Sequence, residues 1–296
     1  MNYLKRLMNQ GFLVEQNVIP SLERLDEASF QRILENLQKE KAFMLSANVL
    51  NRFLQDKKVE IIKTFETVKK LSVKDYVALL NERYEKLQQI LLKKLDQTNL
   101  VSINKATNGA ATLIGLVKKI EEKNNDDLIT IEDQTGEMDT FVPKKFSEKI
   151  KQDDVVAISG IIKNKTLYAD NIVYPDIPLR QVNYSKDDII VSFSEKDKKA
   201  DFVITNNKII DNLKNEIHEI SNPSIIRIDN VTILVAHSFD PLEILRRRFI
   251  HHNYSDFIID PVPDILFTDK SINTNYKGVS IVSEIKLNLK NREILS

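Results

Sequence analysis

Residues 113–143 read LIGLVKKIEEKNNDDLITIEDQTGEMDTFVP. Apolar and polar residues alternate here with the two-residue period of a half-buried strand. Asn124-Asn125-Asp126 and Thr135-Gly136 are turn signals that cut the stretch into three strands. The same pattern continues outward. It predicts strands at 111–119, 127–133, 137–142, 155–162 and 166–173, with Asn164-Lys165 turning the last pair. A short helical piece at 144–149 falls between the third and fourth strands.

Five strands with one helix in that position are the order of an OB-fold barrel, a generic small β-barrel being the alternative. Pro-Asp-Ile-Pro at 175–178 stops the fifth strand. Beyond it the pattern alternates. It predicts strands at 189–194 and 202–205, a helix at 209–220, and a hairpin at 224–236 around Asp229-Asn230. A helix at 242–250 and strands at 257–259, 265–267 and 279–282 follow. Upstream, residues 2–57 read as short helices. Phe30, Ile33, Leu34 and Leu37 form one apolar face, and Phe43, Leu45, Val49, Leu50, Phe53 and Leu54 continue the pattern. Ser29 or Asp26 would cap the first of these helices. Ser72 with Asp75 reads as a capping box opening a longer helix with Tyr76, Leu79, Leu80, Tyr84, Leu87, Ile90 and Leu91 on one face. The expectation is a multidomain α+β chain. It has a helical N-terminal domain (1–57), a connector with a long helix (58–109), an OB-fold (110–178) and a reduced α/β domain (179–296).

Composition narrows the chemistry. The 296 residues include no cysteine, which excludes disulfides, thiolate zinc sites and a thiol nucleophile. Six glycines and no G-x-G-x-x-G or G-K-[ST] exclude a phosphate-cradling loop. There is no 18-residue apolar run and no secretory signal, so a cytoplasmic protein without membrane partners is expected. Net charge is zero but unevenly spread: +5 over 1–109, −4 over 110–178 and −1 over 179–296. A chain that held DNA alone would be basic throughout, because phosphate neutralisation dominates affinity. All four histidines, His218, His237, His251 and His252, lie in the last third. The adjacent pair His251-His252 reads as a surface feature at a helix exit. No Ser-His-Asp spacing or G-x-S-x-G is present.

Three segments together resemble the small subunit of archaeal family D DNA polymerase, a relative of the B subunits of eukaryotic replicative polymerases. SVKDYVALLNERYEKLQQIL at 72–91, with Asp75-Tyr76 and Arg83-Tyr84, resembles that family's helix leading into its barrel. The Glu132-Asp133-x-Thr135-Gly136 turn and the closing Tyr-Pro-Asp-Ile-Pro at 174–178 are similar to its OB domain. NPSIIRIDNVTILVAHS (222–238), LRRRF (245–249) and VPDILFTDKS (262–271) resemble the second half of its calcineurin-like phosphoesterase domain. The resemblance covers roughly residues 72–296.

The resemblance implies a metal site whose ligands this sequence lacks. Such an enzyme holds two metals with Asp, His and Asn side chains. At 189–197 the Asp-x-His of the family is replaced by Ser194 and Glu195. The Gly-Asp motif is missing, since only about 40 residues separate Pro178 from Asn222. Asn206 survives of Gly-Asn-His-Asp, followed by Asn207 and Lys208, and His237 matches the isolated histidine. Lys270 and Ile272 replace the last two histidines, and a cation there opposes metal binding. With Asn206 and His237 as vestiges, no cofactor, no metal and no catalytic residue are expected.

The resemblance therefore implies a non-catalytic, shortened subunit that stabilises a large catalytic polymerase subunit and assists DNA engagement, associated with the replisome. Arg246, Arg247, Arg248 and Phe249 are candidate partner contacts, since arginine beside an aromatic is the composition of interface hot spots. Lys118, Lys119, Lys144, Lys145, Lys163 and Lys165 are candidate DNA contacts, with Phe141 and Tyr168 as stacking rings. The first 57 residues are left for a further partner, a sliding clamp, a primase or DNA. Two alternatives stand beside this: a stand-alone single-stranded nucleic-acid binding protein, and a residual metal-dependent 3′–5′ exonuclease.

Overall fold

The computed structural model describes residues 3–23, 25, 27–39, 42–47, 49–50, 59–65, 72–123, 126–194, 200–213, 216–252, 255–283 and 285–295. The chain divides into two units, 1–58 and 59–296. In the first, α1 (Tyr3–Asn9), α2 (Ile19–Leu22) and α3 (Glu27–Lys39) enclose a small core, and β1 (Leu13–Val14) pairs in parallel with β2 (Met44–Leu45). Phe30, Ile33, Leu34 and Leu37 bury one face of α3, and Phe30 stacks on Tyr3. Two local expectations fail. α3 begins at Glu27, so Ser29 lies inside it, and Asp26 lies outside the described residues. Phe43 is exposed and Leu45 sits in a strand, so no helical face runs through them; Phe53 and Leu54 lie outside the described residues.

The second unit opens with β3 (Val59–Thr64), within the span expected to be a connector. It pairs antiparallel with β13 (Ser224–Ile228), more than 150 residues on. The long helix α4 (Val73–Leu92) follows, with Ser72 and Asp75 forming both bonds of the capping box. Tyr84, Leu87 and Leu91 of α4 pack against Ile114, Leu116, Val155 and Ala157 on one side and against Phe249 and Ile258 on the other. Each fully buried leucine contributes about 1.5–3 kcal/mol.

The barrel consists of β4 (Gly109–Glu121), β5 (Asp126–Asp133), β6 (Gly136–Pro143), β7 (Val155–Lys163) and β8 (Thr166–Val173), with the short helix α5 (Lys144–Ser147) between β6 and β7. It closes in the order β4-β5-β6-β8-β7, with β6 and β8 parallel, which is the OB-fold connection. Leu113, Val117, Ile129, Ile131, Val142, Ile158 and Leu167 fill it. Gly160 is required where β7 bulges against β8, because a Cβ there would meet the Tyr168 carbonyl oxygen at 2.0 Å.

Residues beyond 178 form two six-stranded sheets. One is ordered β12-β11-β10-β9-β20-β21: β9 (Ile190–Ser192), β10 (Phe202–Ile204), β11 (Lys208–Asp211), β12 (Glu216–Glu219), β20 (Lys286–Asn288) and β21 (Ile294–Leu295). The other is ordered β18-β19-β17-β14-β13-β3, with β14 (Val231–Val235), β17 (Ile265–Phe267), β18 (Thr274–Tyr276) and β19 (Val279–Val282); β14, β17 and β19 run parallel. Val191, Phe202 and Ile204 of one sheet share a core with Ile226, Ile233 and Phe267 of the other. The helix α6 (Pro241–Arg247) leads into a hairpin, β15 (Phe249–His252) with β16 (Ser255–Ile258).

The helix expected at 209–220 is instead the β11–β12 hairpin. Its isoleucines fit a helical period, but Asp211 and Asn212 make a turn in which the Leu213 amide donates to the Asp211 carboxylate. The helix expected to reach 250 ends at Arg247, because Arg248 adopts a left-handed φ of 61°. His251 and His252 therefore stand on a strand, not at a helix exit. Among the described residues, no helix is long and apolar enough to cross a membrane.

Candidate functional site

Strand alternation sends Ile129, Val142, Leu167 and Ile162 into the barrel, and so sends their neighbours Leu128, Phe141, Tyr168 and Ile161 outward. The register sets those four side by side: Leu128 opposite Phe141, Phe141 opposite Tyr168, and Tyr168 opposite Ile161. Tyr168 is 46% and Ile161 44% exposed. The Phe141 and Tyr168 rings stack with centroids 5.4 Å apart. Exposed, stacked rings of this kind are the type of surface on which single-strand-binding barrels stack bases.

The six candidate lysines separate into two groups. Lys118 is paired with Glu132 at 3.3 Å and with Glu137, and Lys119 with Glu121 at 2.5 Å. Lys144 is paired with Asp127 at 2.9 Å. Burial opposes ionisation of Asp127, but Ser147, Lys144 and the Lys123 amide hold its carboxyl below the ordinary carboxylate range. Lys145 lies 4.6 Å over the Phe146 ring. Lys163 and Lys165 are exposed at the β7–β8 turn and have no ion-pair partner among the described residues. Asn164 and Lys165 both take positive φ, 52° and 62°, the turn that a tight hairpin requires.

Arg246, Arg247, Arg248 and Phe249 are engaged inside the chain. Phe249 is 2% exposed and lies under the guanidinium of Arg247 at 4.5 Å. Arg247 pairs with the buried Asp154 of the barrel and, at 3.0 Å, with Glu243. Burial pushes the Asp154 carboxyl up, against the pull of Arg247. Arg248 is buried and donates to the Ile259 carbonyl at 2.9 Å. Arg246 donates to the Lys149 carbonyl at 3.3 Å and lies 5.1 Å from the Tyr174 ring centroid. The last turn of α6 thus clamps the barrel, and Arg248 and Phe249 have almost no surface left for a partner.

The two vestigial positions belong to different sheets. Asn206 is exposed in the turn between β10 and β11. His237 follows β14 in the other sheet, its ring edge-on to Phe267 at 4.6 Å. Burial lowers its pKa, against Asp269, and its Nε2 has no hydrogen-bond partner among the described residues. Asp269 accepts from the Ser238 amide at 2.8 Å, and the exposed Lys270 comes next. Glu195 lies outside the described residues. One imidazole, one exposed amide and an ammonium are not the donor set of a dinuclear centre.

Sequence reasoning missed three groupings. Among the described residues, Asp211, Glu216 and His218 are the one group of metal-ligand types lying within 4.8 Å of one another, on the β11–β12 hairpin. Arg83 and Asp256 form a buried ion pair between α4 and β16. Lys63, Lys86 and Lys93 line one cavity. Only the last left a trace in sequence, the spacing of Lys86 and Lys93 on one helical face.

No family model matches the chain. It is similar to the DNA polymerase II small subunit of Archaeoglobus fulgidus, 26% identical over 199 residues, 64% of this chain and 38% of that protein. The protein of the same name from Pyrococcus furiosus is 35% identical over 117 residues, 36% of this chain and 19% of that protein. The chain thus spans less than half the length of these relatives. A crystal structure of a domain of replication protein A from Methanococcus maripaludis aligns with 25% of this chain and 91% of its own, at 18% identity and a TM-score of 0.24. By sequence kinship, this chain is a relative of the archaeal DNA polymerase II small subunit, the small subunit of family D DNA polymerase.

Proposed function

We propose that the chain is a non-catalytic small subunit of a family D DNA polymerase, which stabilises a large catalytic subunit and helps it engage DNA. The observation that carries this is the sequence kinship to polymerase small subunits, found in a chain that contains a closed OB-type barrel. The barrel, 110–178, is read as the DNA-facing part, through Phe141, Tyr168, Lys163 and Lys165. Residues 179–296 are read as a phosphoesterase-like domain without its chemistry. Two packed sheets with a parallel centre agree with that descent, and the side chains at 206, 237 and 270 argue against a metal centre. With α6 spent on the barrel, the large subunit is expected on another surface.

The test is co-expression of the full chain with a family D large subunit, followed by gel filtration and a manganese-dependent nuclease assay. A stable complex, with no hydrolysis that depends on His237, is expected. Failure to associate, or hydrolysis abolished by His237→Ala, would overturn the reading.

A further inference from the structure

Lys86, Gln89, Ile90 and Lys93 recur at i, i+3, i+4 and i+7 and share one face of the end of α4. Lys63 of β3 and Ile258 of β16 lie opposite. With Asp260 these residues line an open cavity of about 350 Å³. The Lys63 ammonium is held there by the Ile258 carbonyl at 2.7 Å, and it lies 4.6 Å over the Phe257 ring.

Three lysines thus line one space with, among the described residues, a single carboxylate, that of Asp260. Lys86 shares its charge with Glu82, one helical turn back. Asp260 is mostly exposed and 3.9 Å from Arg248. Lys63 and Lys93 have no ion-pair partner among the described residues. Burial lowers the Lys63 pKa, and the charge of Lys86 lowers it further, while Asp260 and Glu82 oppose. An anion in the cavity would relieve that repulsion.

We infer that this cavity binds a phosphate of a nucleic-acid backbone. Ammonium groups act on phosphate as point charges, and the Gln89 side chain adds a neutral donor. Among the described residues no aromatic ring lines the cavity, so it offers no platform for a base and would read charge without sequence. An acidic peptide would need apolar anchors, and among the described residues the lining offers only Ile90 and the buried Ile258. The nucleic-acid part of the inference rests on the polymerase-subunit reading.

The full chain is titrated against a fluorescent single-stranded oligonucleotide by anisotropy, from 20 to 200 mM salt. Lys86→Gln/Lys93→Gln, both exposed, is expected to fold as the wild type does and to bind at least tenfold more weakly. Its salt slope should be shallower by about 1.4, or about 0.7 per lost contact. Lys63→Gln should weaken binding in the same direction. Unchanged affinity and slope in the double variant, or no binding by the wild type at 20 mM salt, overturns the assignment. So does a polyglutamate peptide that outcompetes the oligonucleotide, which would make the cavity a protein-docking site. Association with a large subunit is read separately. Oligonucleotide binding lost with the lysines, in a chain that pairs with no polymerase, overturns the polymerase reading and keeps the cavity. A polymerase-bound chain whose double variant binds normally overturns the cavity alone.

Discussion

The Arg83 guanidinium meets the Asp256 carboxylate at 3.3 Å, and the two side chains are 2% and 4% exposed. This pair ties α4 to the β15–β16 hairpin. Arg83 also lies 4.7 Å over the Phe249 ring, and Asp256 shares its Oδ1 with His251 Nδ1 at 2.7 Å. Removing one member of a buried pair leaves the other charge uncompensated, at a cost of about 3–5 kcal/mol. Asp256→Ala should therefore lose that amount in urea unfolding, while Arg83→Met/Asp256→Leu should lose clearly less. A loss below about 1 kcal/mol in the single variant would show that the pair is not structural.

Gly160 touches the backbone of β8 so closely that no side chain fits. Gly160→Ala must push β7 away from β8 and open the barrel at its bulge. A destabilisation of about 1–3 kcal/mol or more is expected, read by thermal unfolding and by hydrogen exchange of the β7–β8 amides. An unchanged melting temperature would contradict closure of the barrel at this bulge.

Asp127 fixes the acid side of barrel stability. Its carboxyl, near 3.8 ordinarily, is held lower in the fold. A depressed carboxylate contributes stability at neutral pH that is lost as pH falls through its folded pKa. Asp127→Asn should therefore be less stable than the wild type at pH 7, with the difference shrinking below about pH 4. Unfolding curves that stay parallel from pH 7 to pH 2.5 would rule this out.

On the barrel surface, Lys163→Gln/Lys165→Gln should weaken single-strand binding more than Lys118→Gln/Lys119→Gln, because the latter pair is already matched by carboxylates. Tyr168→Ala should cost about 1–3 kcal/mol of binding if its ring stacks a base, with little loss of stability given its exposure. Equal effects from both lysine pairs would point to diffuse attraction instead of a defined path.

Much of the barrel was legible because it obeys local rules. The Asn164-Lys165 turn, the alternation of β5 and β6, and the Ser72–Asp75 cap are all visible within a few residues of sequence. The parts that were not legible depend on distant partners. β3 is a strand because β13 lies beside it, and nothing in 59–64 alone announces that. The isoleucines of 209–220 fit two periods, and pairing with β10 decides between them. The arginine-aromatic cluster at 246–249 has the composition of an interface, but part of what it meets, Asp154 and Lys149, belongs to the barrel of this same chain. The cross-strand carboxylates that quench Lys118 follow from a register that sequence does not print.

The most direct measurement is affinity purification of the tagged chain from its native host, with quantitative mass spectrometry of what comes with it. A large DNA polymerase subunit at near one-to-one ratio, retained through a salt wash, is expected. A chain recovered alone and monomeric, with no polymerase peptide above background, would contradict it.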